Sequence, residues 1–246
     1  MTYFKLNILQ TCSSTNDIAI QNAKKGLPEG SSYLSILQTN GRGRNNNQWT
    51  SMKGNLFLSS IFRPSISKTR WHQLSLIIGF SILESLIKLG VDRRKIELKW
   101  PNDVLVQKNK ISGVLLESFD DFIVAGIGLN ILKNPQNDTK WNTTKLYDHS
   151  NNDFSLEYIA NIILKIIFKN YAIWKDKGFN FFKKKINNNF YNINNKIVIK
   201  LNSYSNNITG IFLGLGDNGS MKIQVGNEIL EYYSIESFFF PDEELL

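Results

Sequence analysis

Two long helical periodicities set among short strand-forming runs constrain the fold of this chain. Apolar residues recur at helical spacing from Trp71 to Leu89, where Gly90 ends the pattern, and again from Leu156 to Trp174. The runs around these segments are short, as strands are, and they do not alternate one to one with helices. This order predicts an α+β fold, in which helices flank a mixed β-sheet, over a doubly wound α/β fold.

Turn residues and shorter periodicities predict the remaining elements of the first part of the chain. A strand is predicted from Tyr3 to Leu9, followed by a helix from Thr15 to Lys25 that begins after a serine cap and ends at Gly26. A third helix is predicted from Phe179 to Phe190. The other predicted strands are Tyr33–Gln38, Asn55–Phe62, Ile96–Trp100, Asp103–Gln107, Val114–Ser118 and Phe122–Gly128.

The pattern changes after the asparagine-rich turn at residues 192–195. Short strands follow with no helical periodicity among them, at Ile197–Leu201, Ile208–Leu213, Met221–Val225 and Ile229–Tyr233. A compact β-barrel of about 50 residues fits this spacing. We therefore predict a first domain over residues 1–195 and a small barrel over residues 196–246.

The composition limits the class of protein. With 42% hydrophobic and 20% charged residues among 246, the chain is predicted to be globular. The one cysteine, Cys12, allows neither an intramolecular disulfide nor a thiolate metal cage, and the two histidines, His72 and His149, are interpreted as structural. No secretory signal or membrane-spanning run is recognisable, so we expect a cytoplasmic protein without a membrane partner.

The net charge of +8 is compatible with an anionic partner, because a positive potential attracts nucleic acids and phosphates. Most of this charge comes from scattered lysines, which are typical of a solvated surface. The aromatic residues are spaced as core residues are, and not as an exposed stacking platform. We therefore expect no nucleic-acid partner.

The loop after the strand at Tyr33–Gln38 has the composition of an anion-binding site. It reads Gln-Thr-Asn-Gly-Arg-Gly-Arg over residues 38–44; glycine permits close backbone approach, and arginine offers forked donors to carboxylate or phosphate. It is not a P-loop, since no lysine followed by serine or threonine stands at the required place. An RNA-binding turn or a solvated loop stays open as an interpretation. Trp49, further on, either stacks on a flat heterocycle or packs in the core.

A second group of polar residues lies around a proline. Pro101 ends a strand and directs Asn102 and Asp103, while Lys110 stands at the mouth of the next strand, followed by Gly113. Lysine presents a compact positive charge that suits a phosphoryl or carboxylate oxygen. Asp103 is a candidate to assist Mg²⁺ or an incoming amine.

In order and spacing these motifs resemble those of the biotin protein ligases, also called holocarboxylase synthetases, over essentially the whole chain. The matching segments are Ser14-Thr15-Asn16, Gln38 with Gly-Arg-Gly-Arg at 41–44 and Trp49, Lys-Trp-Pro-Asn-Asp at 99–103, Lys110 with Gly113, and Gly-Ile-Gly-Leu-Asn at 126–130. The resemblance implies the biotin–lipoate ligase scaffold, which is similar to class II aminoacyl-tRNA synthetases, with a small C-terminal src-homology-3-like barrel.

The resemblance also implies an activity and a set of site residues. The enzyme would activate biotin with ATP and Mg²⁺ as biotinyl-5′-AMP and transfer it to a lysine of a biotin carboxyl carrier protein, and members commonly pair as homodimers through a sheet edge. The residues that match biotin-binding positions are Ser14, Thr15, Asn16, Gln38, Gly41, Arg42, Gly43, Arg44, Lys110 and Gly113. Those that match ATP-binding positions are Arg44, Trp49, Asn102, Lys110 and Asn130. Those implied to be catalytic are Lys110, Arg42 and Arg44, which would neutralise anions, and Asp103, which would serve the amine and stand near Mg²⁺.

One segment departs from the family pattern. After Arg44 the family loop usually continues with another glycine and often another arginine, whereas this chain has Asn45-Asn46-Asn47-Gln48. Asparagine tolerates positive φ as glycine does, so we expect the bend to survive. An additional arginine contact to phosphate is not available.

Three alternatives stay open at the level of the sequence. A lipoate or octanoate ligase shares the scaffold and a similar lysine, but it is expected to lack the loop that joins Gly41 to Trp49. A biotin-responsive repressor would need a winged-helix domain before Ser14, for which the preceding residues leave no room. A nucleic-acid-binding module would rely on the basic charge alone.

Overall fold

The computed structural model describes residues 4–45, 47–135, 142–201 and 206–239. The chain divides into two compact units, with the boundary between Gly178 and Phe179. Within the described residues, no helix is both long enough and apolar enough to cross a membrane.

The first unit is built on a seven-stranded mixed sheet, which agrees with the predicted α+β class. Its spatial order is β1-β2-β3-β7-β6-β5-β4; β1 and β2 are parallel, and all other neighbours are antiparallel. The strands are β1 (Lys5–Cys12), β2 (Ser31–Gln38), β3 (Leu56–Phe62), β4 (Ile96–Lys99), β5 (Asp103–Val106), β6 (Asn109–Ser118) and β7 (Ile123–Leu129).

Helices cover the two faces of this sheet, α1 (Thr15–Lys24) on one and α2 (Gln73–Lys88) with α3 (Leu156–Lys177) on the other. The alternation of β3 separates the faces, because successive side chains of a strand point to opposite sides. Ser59 contacts the start of α1, whereas Phe62 stacks on Phe168 of α3. The face covered by the first turn of α1 is the one that carries the polar residues of the predicted site.

An aromatic cluster between β3 and α3 forms part of the core. Phe62 lies 5.0 Å from Tyr171 between ring centroids, and Tyr171 in turn lies 5.9 Å from Trp174. The Tyr171 hydroxyl donates a 2.5 Å hydrogen bond to Glu29, which also accepts from the backbone of Arg63. Burial and this carboxylate raise the pKa of Tyr171 far above its usual range, so the phenol is neutral in the folded protein.

The second unit contains one short helix and an antiparallel sheet, which fits the predicted src-homology-3-like fold. Its elements are α4 (Asn180–Asn187), β8 (Lys196–Lys200), β9 (Ile208–Leu215), β10 (Met221–Val225), β11 (Glu228–Tyr232) and β12 (Ser237–Phe239), with the sheet order β11-β10-β9-β8-β12. The strand β12 was not predicted. The domain boundary near residue 195 stays a prediction; the contacts instead group α4 with this sheet, because Asn187 accepts a hydrogen bond from the backbone of Leu215.

Two other predictions differ from the structure in detail. The first strand extends to Cys12, and the predicted start at Tyr3 lies outside the described residues. Lys110 lies inside β6 and not at its mouth, because Gln107 and Lys108 form a tight turn with φ of 50° and 66° and the strand resumes at once. The predicted helix ends at Gly26 and Gly90 are confirmed, since both adopt positive φ.

Replacing Tyr171 by phenylalanine should lower the free energy of unfolding by about 1.5–3 kcal/mol, because a buried hydrogen bond to a charged group is lost. The difference should shrink above about pH 10, since unfolded tyrosine ionises there while folded Tyr171 stays protonated. Urea unfolding at pH 7 and pH 11 measures both effects. Tyr158→Phe, on the same helix but half exposed, is the control, and equal midpoints for Tyr171→Phe and the unsubstituted protein would contradict the assignment.

Candidate active site

Two facing glycines create a bare patch on the sheet. Gly113 of β6 and Gly128 of β7 are direct cross-strand partners, on the face that α1 covers. The indole of Trp49 lies on this pair: a Cβ atom built on Gly128 would be 2.8 Å from Trp49 Nε1, and one on Gly113 would be 3.1 Å from its ring. A larger residue at Gly128 would collide with the indole, and one at Gly113 would press tightly on it.

Next to this patch lies a buried cluster of amide and hydroxyl groups from α1, β2 and β3. Gln38 Oε1 accepts hydrogen bonds from the Thr15 backbone at 2.8 Å and the Thr15 hydroxyl at 3.1 Å. The Ser59 hydroxyl lies 2.6 Å from Asn16 Oδ1 and 2.7 Å from Thr15 Oγ1. Ser14 is also buried and stands at the N-cap position of α1. The sequence predicted these residues except Ser59.

Arg42 enters the site from the loop and contacts two carboxylates. Its guanidinium makes a two-point contact with Glu117 at 3.0 and 2.9 Å and reaches Asp17 at 2.6 Å. Glu117 Oε2 accepts a further 2.7 Å hydrogen bond from Asn16 Nδ2. The sequence prediction missed Glu117 and Asp17, although a charged residue directly after the apolar run at residues 114–116, as Glu117 is in β6, was a usable signal.

Within the loop between β2 and β3, a short hairpin begins at Gly41, ends at Trp49 and carries both arginines. Gly43 donates to the carbonyl of Asn47 at 2.7 Å, and Trp49 donates to that of Gly41 at 3.0 Å. The bend expected from asparagine is confirmed at Asn45, where φ is +53°. Gly41 packs beside the Gln38 amide, so the hairpin begins at the amide cluster and ends at the indole.

Lys110 and Asp103 face each other beside Gly113. Their Nζ and Oδ1 atoms lie 2.8 Å apart without the alignment of a hydrogen bond, and the Lys110 ammonium lies 5.6 Å from the Trp49 ring centroid. β7 ends before it reaches Lys110, and the segment at residues 142–144 forms the backbone hydrogen bonds with Lys110 on that side of β6. This pairing holds the backbone of Lys110 on both sides, so its side chain projects from a rigid strand.

Asn102 supports the second arginine of the loop. Its Nδ2 donates to the carbonyl of Val114 at 2.9 Å, and its Oδ1 accepts from Arg44 at 3.3 Å. Burial lowers the pKa of the Arg44 guanidinium, and the nearby Asp103 carboxylate opposes this change. The Asn102 amide is therefore used in holding Arg44 against the strand that carries Lys110.

Several buried polar atoms at this site lack a hydrogen-bond partner among the described residues. They are Arg42 Nε, Trp49 Nε1, Asn130 Oδ1 and Asp103 Oδ1, the last of which makes an ion contact with Lys110. The Asn130 amide nitrogen, by contrast, donates to the carbonyl of Thr144. A buried polar atom left unpaired costs about 1–3 kcal/mol, so such atoms are typical of positions that a ligand completes.

A cavity of about 570 Å³ lies between the hairpin and β6. It is lined by Asn40, Gly41, Arg42, Gly43, Arg44, Asn45, Asn47, Gln48, Leu115, Leu116 and Glu117. Of the predicted site residues, Gly41, Arg42, Gly43 and Arg44 line this cavity, whereas the amide cluster, Trp49 and Lys110 do not. The close approaches to Gly126 and to the Gly113–Gly128 pair connect the predicted residues in two adjoining halves. One half holds neutral amides and hydroxyls, and the other holds Lys110, Arg44 and the indole.

Comparison with known proteins identifies the family. Residues 9–134 match the sequence profile of the biotin/lipoate A/B protein ligase family, which is half of the chain. The chain belongs to this family. The resemblance predicted from its motifs is thereby confirmed.

Individual proteins and solved structures that are similar to this chain belong to the same family. It is 26% identical over 234 residues to the bifunctional ligase/repressor BirA of Bacillus subtilis, covering 91% of this chain and 70% of the relative. It is 33% identical over 136 residues to the biotin–acetyl-CoA-carboxylase ligase of Mycobacterium tuberculosis, covering 54% and 51%. It is similar to the biotin protein ligase from Aquifex aeolicus in complex with biotin and ATP, with a TM-score of 0.85, 30% identity and coverage of 97% and 100%.

The described part of this family member contains no group of three histidine, cysteine or acidic side chains that could hold a metal ion. Asp103, the carboxylate predicted to stand near Mg²⁺ bound with ATP, is in ion contact with Lys110, and its place near Mg²⁺ stays a prediction. A single carboxylate whose charge is already matched is a poor site for a hard divalent cation.

Gly128→Ala should displace the Trp49 indole, because the added methyl group would overlap the ring. We expect greater acrylamide quenching of Trp49 fluorescence, with the share of Trp49 obtained by comparison with Trp49→Phe, and a loss of about 1–3 kcal/mol in stability. Gly79→Ala is the matched control, since its Cβ would meet no atom closer than 3.9 Å. Unchanged quenching in Gly128→Ala would show that the indole does not rest on this strand pair.

Proposed function

We propose that this chain is a biotin protein ligase, which activates biotin as biotinyl-5′-AMP and transfers the biotinyl group to a lysine of a biotin carboxyl carrier protein. The observation that carries the proposal is the adjacency of the amide and hydroxyl cluster at Asn16 to the cationic group at Lys110, beneath one hairpin. A neutral heterocycle that bears a carboxylate chain would place its ring in the amide and hydroxyl cluster and its carboxylate beside the cationic group. The proposal names a carboxylase carrier in general, acetyl-CoA carboxylase or a related enzyme.

The neutral half suits the ureido ring of biotin. A cyclic urea presents one carbonyl acceptor and two N–H donors without charge, and Thr15, Asn16 and Gln38 offer hydroxyl and amide groups of both kinds. Ser14 and Gly41 stand at the edges of the same cluster. These groups are buried and already hydrogen-bonded to one another, so a ligand that displaces those bonds must offer polar groups in exchange, since an apolar one would leave them unpaired.

The charged half suits the reacting atoms. In the first step a biotin carboxylate oxygen attacks the α-phosphorus of ATP, the bond from phosphorus to the bridging oxygen breaks, and pyrophosphate leaves. The step needs positioning and neutralisation of crowded anions and no protein nucleophile. Lys110 and Arg44 supply the positive charge, and the two-sided backbone support of Lys110 keeps its ammonium in place.

The nucleotide end is proposed to lie toward Trp49 and Asn130. The indole supplies a flat surface for a purine, and the unpaired Asn130 Oδ1 is an acceptor suited to an exocyclic amine. Mg²⁺ would neutralise phosphate charge when it is bound with ATP, held by the phosphate oxygens. Arg44 is the guanidinium of this half, and its planar fork of donors suits phosphate oxygens.

In the second step the ε-amine of the carrier lysine attacks the carbonyl carbon of the biotinyl-adenylate, an amide bond forms, and AMP leaves. The amine must lose a proton, and Asp103 is the carboxylate beside Lys110 that can orient or accept it. Contact of Lys110 with the anionic intermediate would weaken its pairing with Asp103. That change would leave the carboxylate available to the amine.

The test is incubation with biotin, ATP, Mg²⁺ and a biotin carboxyl carrier domain, followed by mass measurement of the carrier. We expect the mass gain of one biotinyl group, dependent on ATP. A parallel reaction with lipoate and a lipoyl domain separates the two activities of the family. Lipoylation without biotinylation, or no modification of either acceptor, would overturn the proposal.

Lys110→Ala should slow the formation of biotinyl-5′-AMP by about 100-fold or more while biotin binding changes much less, because a charge aimed at the transition state is removed. Single-turnover synthesis with radiolabelled ATP measures the first quantity and calorimetry with biotin the second. Lys165→Ala, an exposed lysine on α3, is the control. Equal single-turnover rates for Lys110→Ala and the control would refute the role of Lys110.

A further inference from the structure

Glu117 is the acceptor that connects the neutral half of the site to the hairpin. Its Oε1 accepts from Arg42 Nη1 at 3.0 Å, and its Oε2 accepts from Arg42 Nη2 at 2.9 Å and from Asn16 Nδ2 at 2.7 Å. Its side chain is 23% exposed, so water competes only in part for these contacts. Three charge-assisted or amide hydrogen bonds therefore converge on one carboxylate.

The contact with Glu117 decides which way the Asn16 amide points. Asn16 Nδ2 donates to Glu117, so Oδ1 is turned toward the hydroxyl of Ser59, which donates to it at 2.6 Å. Asn16 also packs directly on Gly126 of β7, where a Cβ atom would lie 3.1 Å from Asn16 Nδ2. The Asn16 amide is restrained at its nitrogen by Glu117, at its oxygen by Ser59 and on one face by Gly126, so only its other face is available to a ligand in the cluster.

The contact with Arg42 ties the hairpin to the sheet. Arg42 reaches Asp17 on α1 at 2.6 Å in addition to Glu117 on β6. The pair with Glu117 is a two-point contact, which fixes the guanidinium plane, whereas Asp17 makes a single contact. Loss of Glu117 should therefore release the hairpin more than loss of Asp17.

We propose that Glu117 is a positioning residue of the site: it orients Asn16 toward the biotin ring and, through Arg42, holds over the site the hairpin that begins at Gly41 and ends at Trp49. The part that concerns biotin rests on the proposed function. The part that concerns the hairpin does not, because all of its contacts are within the protein. Glutamine at this position would lose the charge and replace one acceptor oxygen by a donor. With its oxygen in the place of Oε2 it could still accept from Asn16 and from Arg42 Nη2, but its amide nitrogen would face Arg42 Nη1, so the two-point contact would be lost.

The first test measures the hairpin without any substrate. Trypsin cleaves after Arg42 and Arg44, and the fragments are identified by mass. Glu117→Gln should raise the cleavage rate at these two bonds by about tenfold, the effect of losing one or two hydrogen bonds to a charged group. Asp17→Asn should raise it less. Asp120→Asn, an exposed carboxylate on the β6–β7 turn, is the matched control and should not change it.

The second test measures the reaction. Glu117→Gln should raise the KM for biotin by about tenfold and change kcat little, because an interaction that orients the ligand in both ground and transition states is lost. Glu117→Asp, which keeps the charge on a shorter side chain, should recover part of the affinity. A general structural defect would instead lower the amount of active protein and leave the KM for biotin unchanged.

The outcomes separate the two proposals. If the unsubstituted protein biotinylates no carrier, the proposed function fails, and the trypsin result alone decides the role of Glu117 in the hairpin. If the protein is active but Glu117→Gln matches Asp120→Asn in cleavage rate and in KM for biotin, the inference about Glu117 is overturned. Should Glu117→Gln not fold, Arg42→Lys, which keeps a charge but loses the two-point contact, tests the same link; cleavage after residues 42 and 44 at the unsubstituted rate would then overturn it.

Discussion

The site depends on the close approach of side chains to the backbone of two strands. Gly113 and Gly128 face each other on β6 and β7 and leave no side chain between the sheet and whatever lies on it. The Trp49 indole fills that space, and Lys110 and Asp103 converge at its edge because Gly113 does not obstruct them. Gly126 lies two residues before Gly128 on the same face of β7 and allows Asn16 to approach the backbone equally closely. These glycines lie on rigid neighbouring strands, so the side chains that pack on them are held in fixed relative positions.

Two cations of the site face carboxylates from other elements. Arg42 of the hairpin faces Glu117 and Asp17, and Lys110 of β6 faces Asp103. Isolated charges at half-buried positions would carry a desolvation cost without compensation. These pairs hold the two cations in place within the protein itself. Binding of phosphate or carboxylate would then compete with the pairs and not with bulk water alone.

The fold was predictable where local patterns repeat over many residues. The helical spacing of apolar residues in α2 and α3, and the glycines after α1 and α2, gave correct element types and ends. Errors arose where local signals were weak. The polar residues Asn109 and Lys110 at the start of β6 do not have the pattern of a strand. They form part of one because the turn at Gln107 returns the chain directly beside β5. The short strand β12 exists only as the partner of β8.

The sequence by itself determined the α+β class, the family and the residue types of the site, because glycine, arginine and lysine motifs keep their spacing along the chain. Only the tertiary structure decided which of these residues meet. Asp17 and Glu117 lie 25 and 75 positions from Arg42, and no local pattern connects them. Their contact arises because the sheet order places β6 beside β7, whose Gly126 lies under Asn16 in the first turn of α1, so that Glu117 and Asp17 both come within reach of Arg42. Hydrogen-bond partners of this kind are set by the order of strands and not by the order of residues.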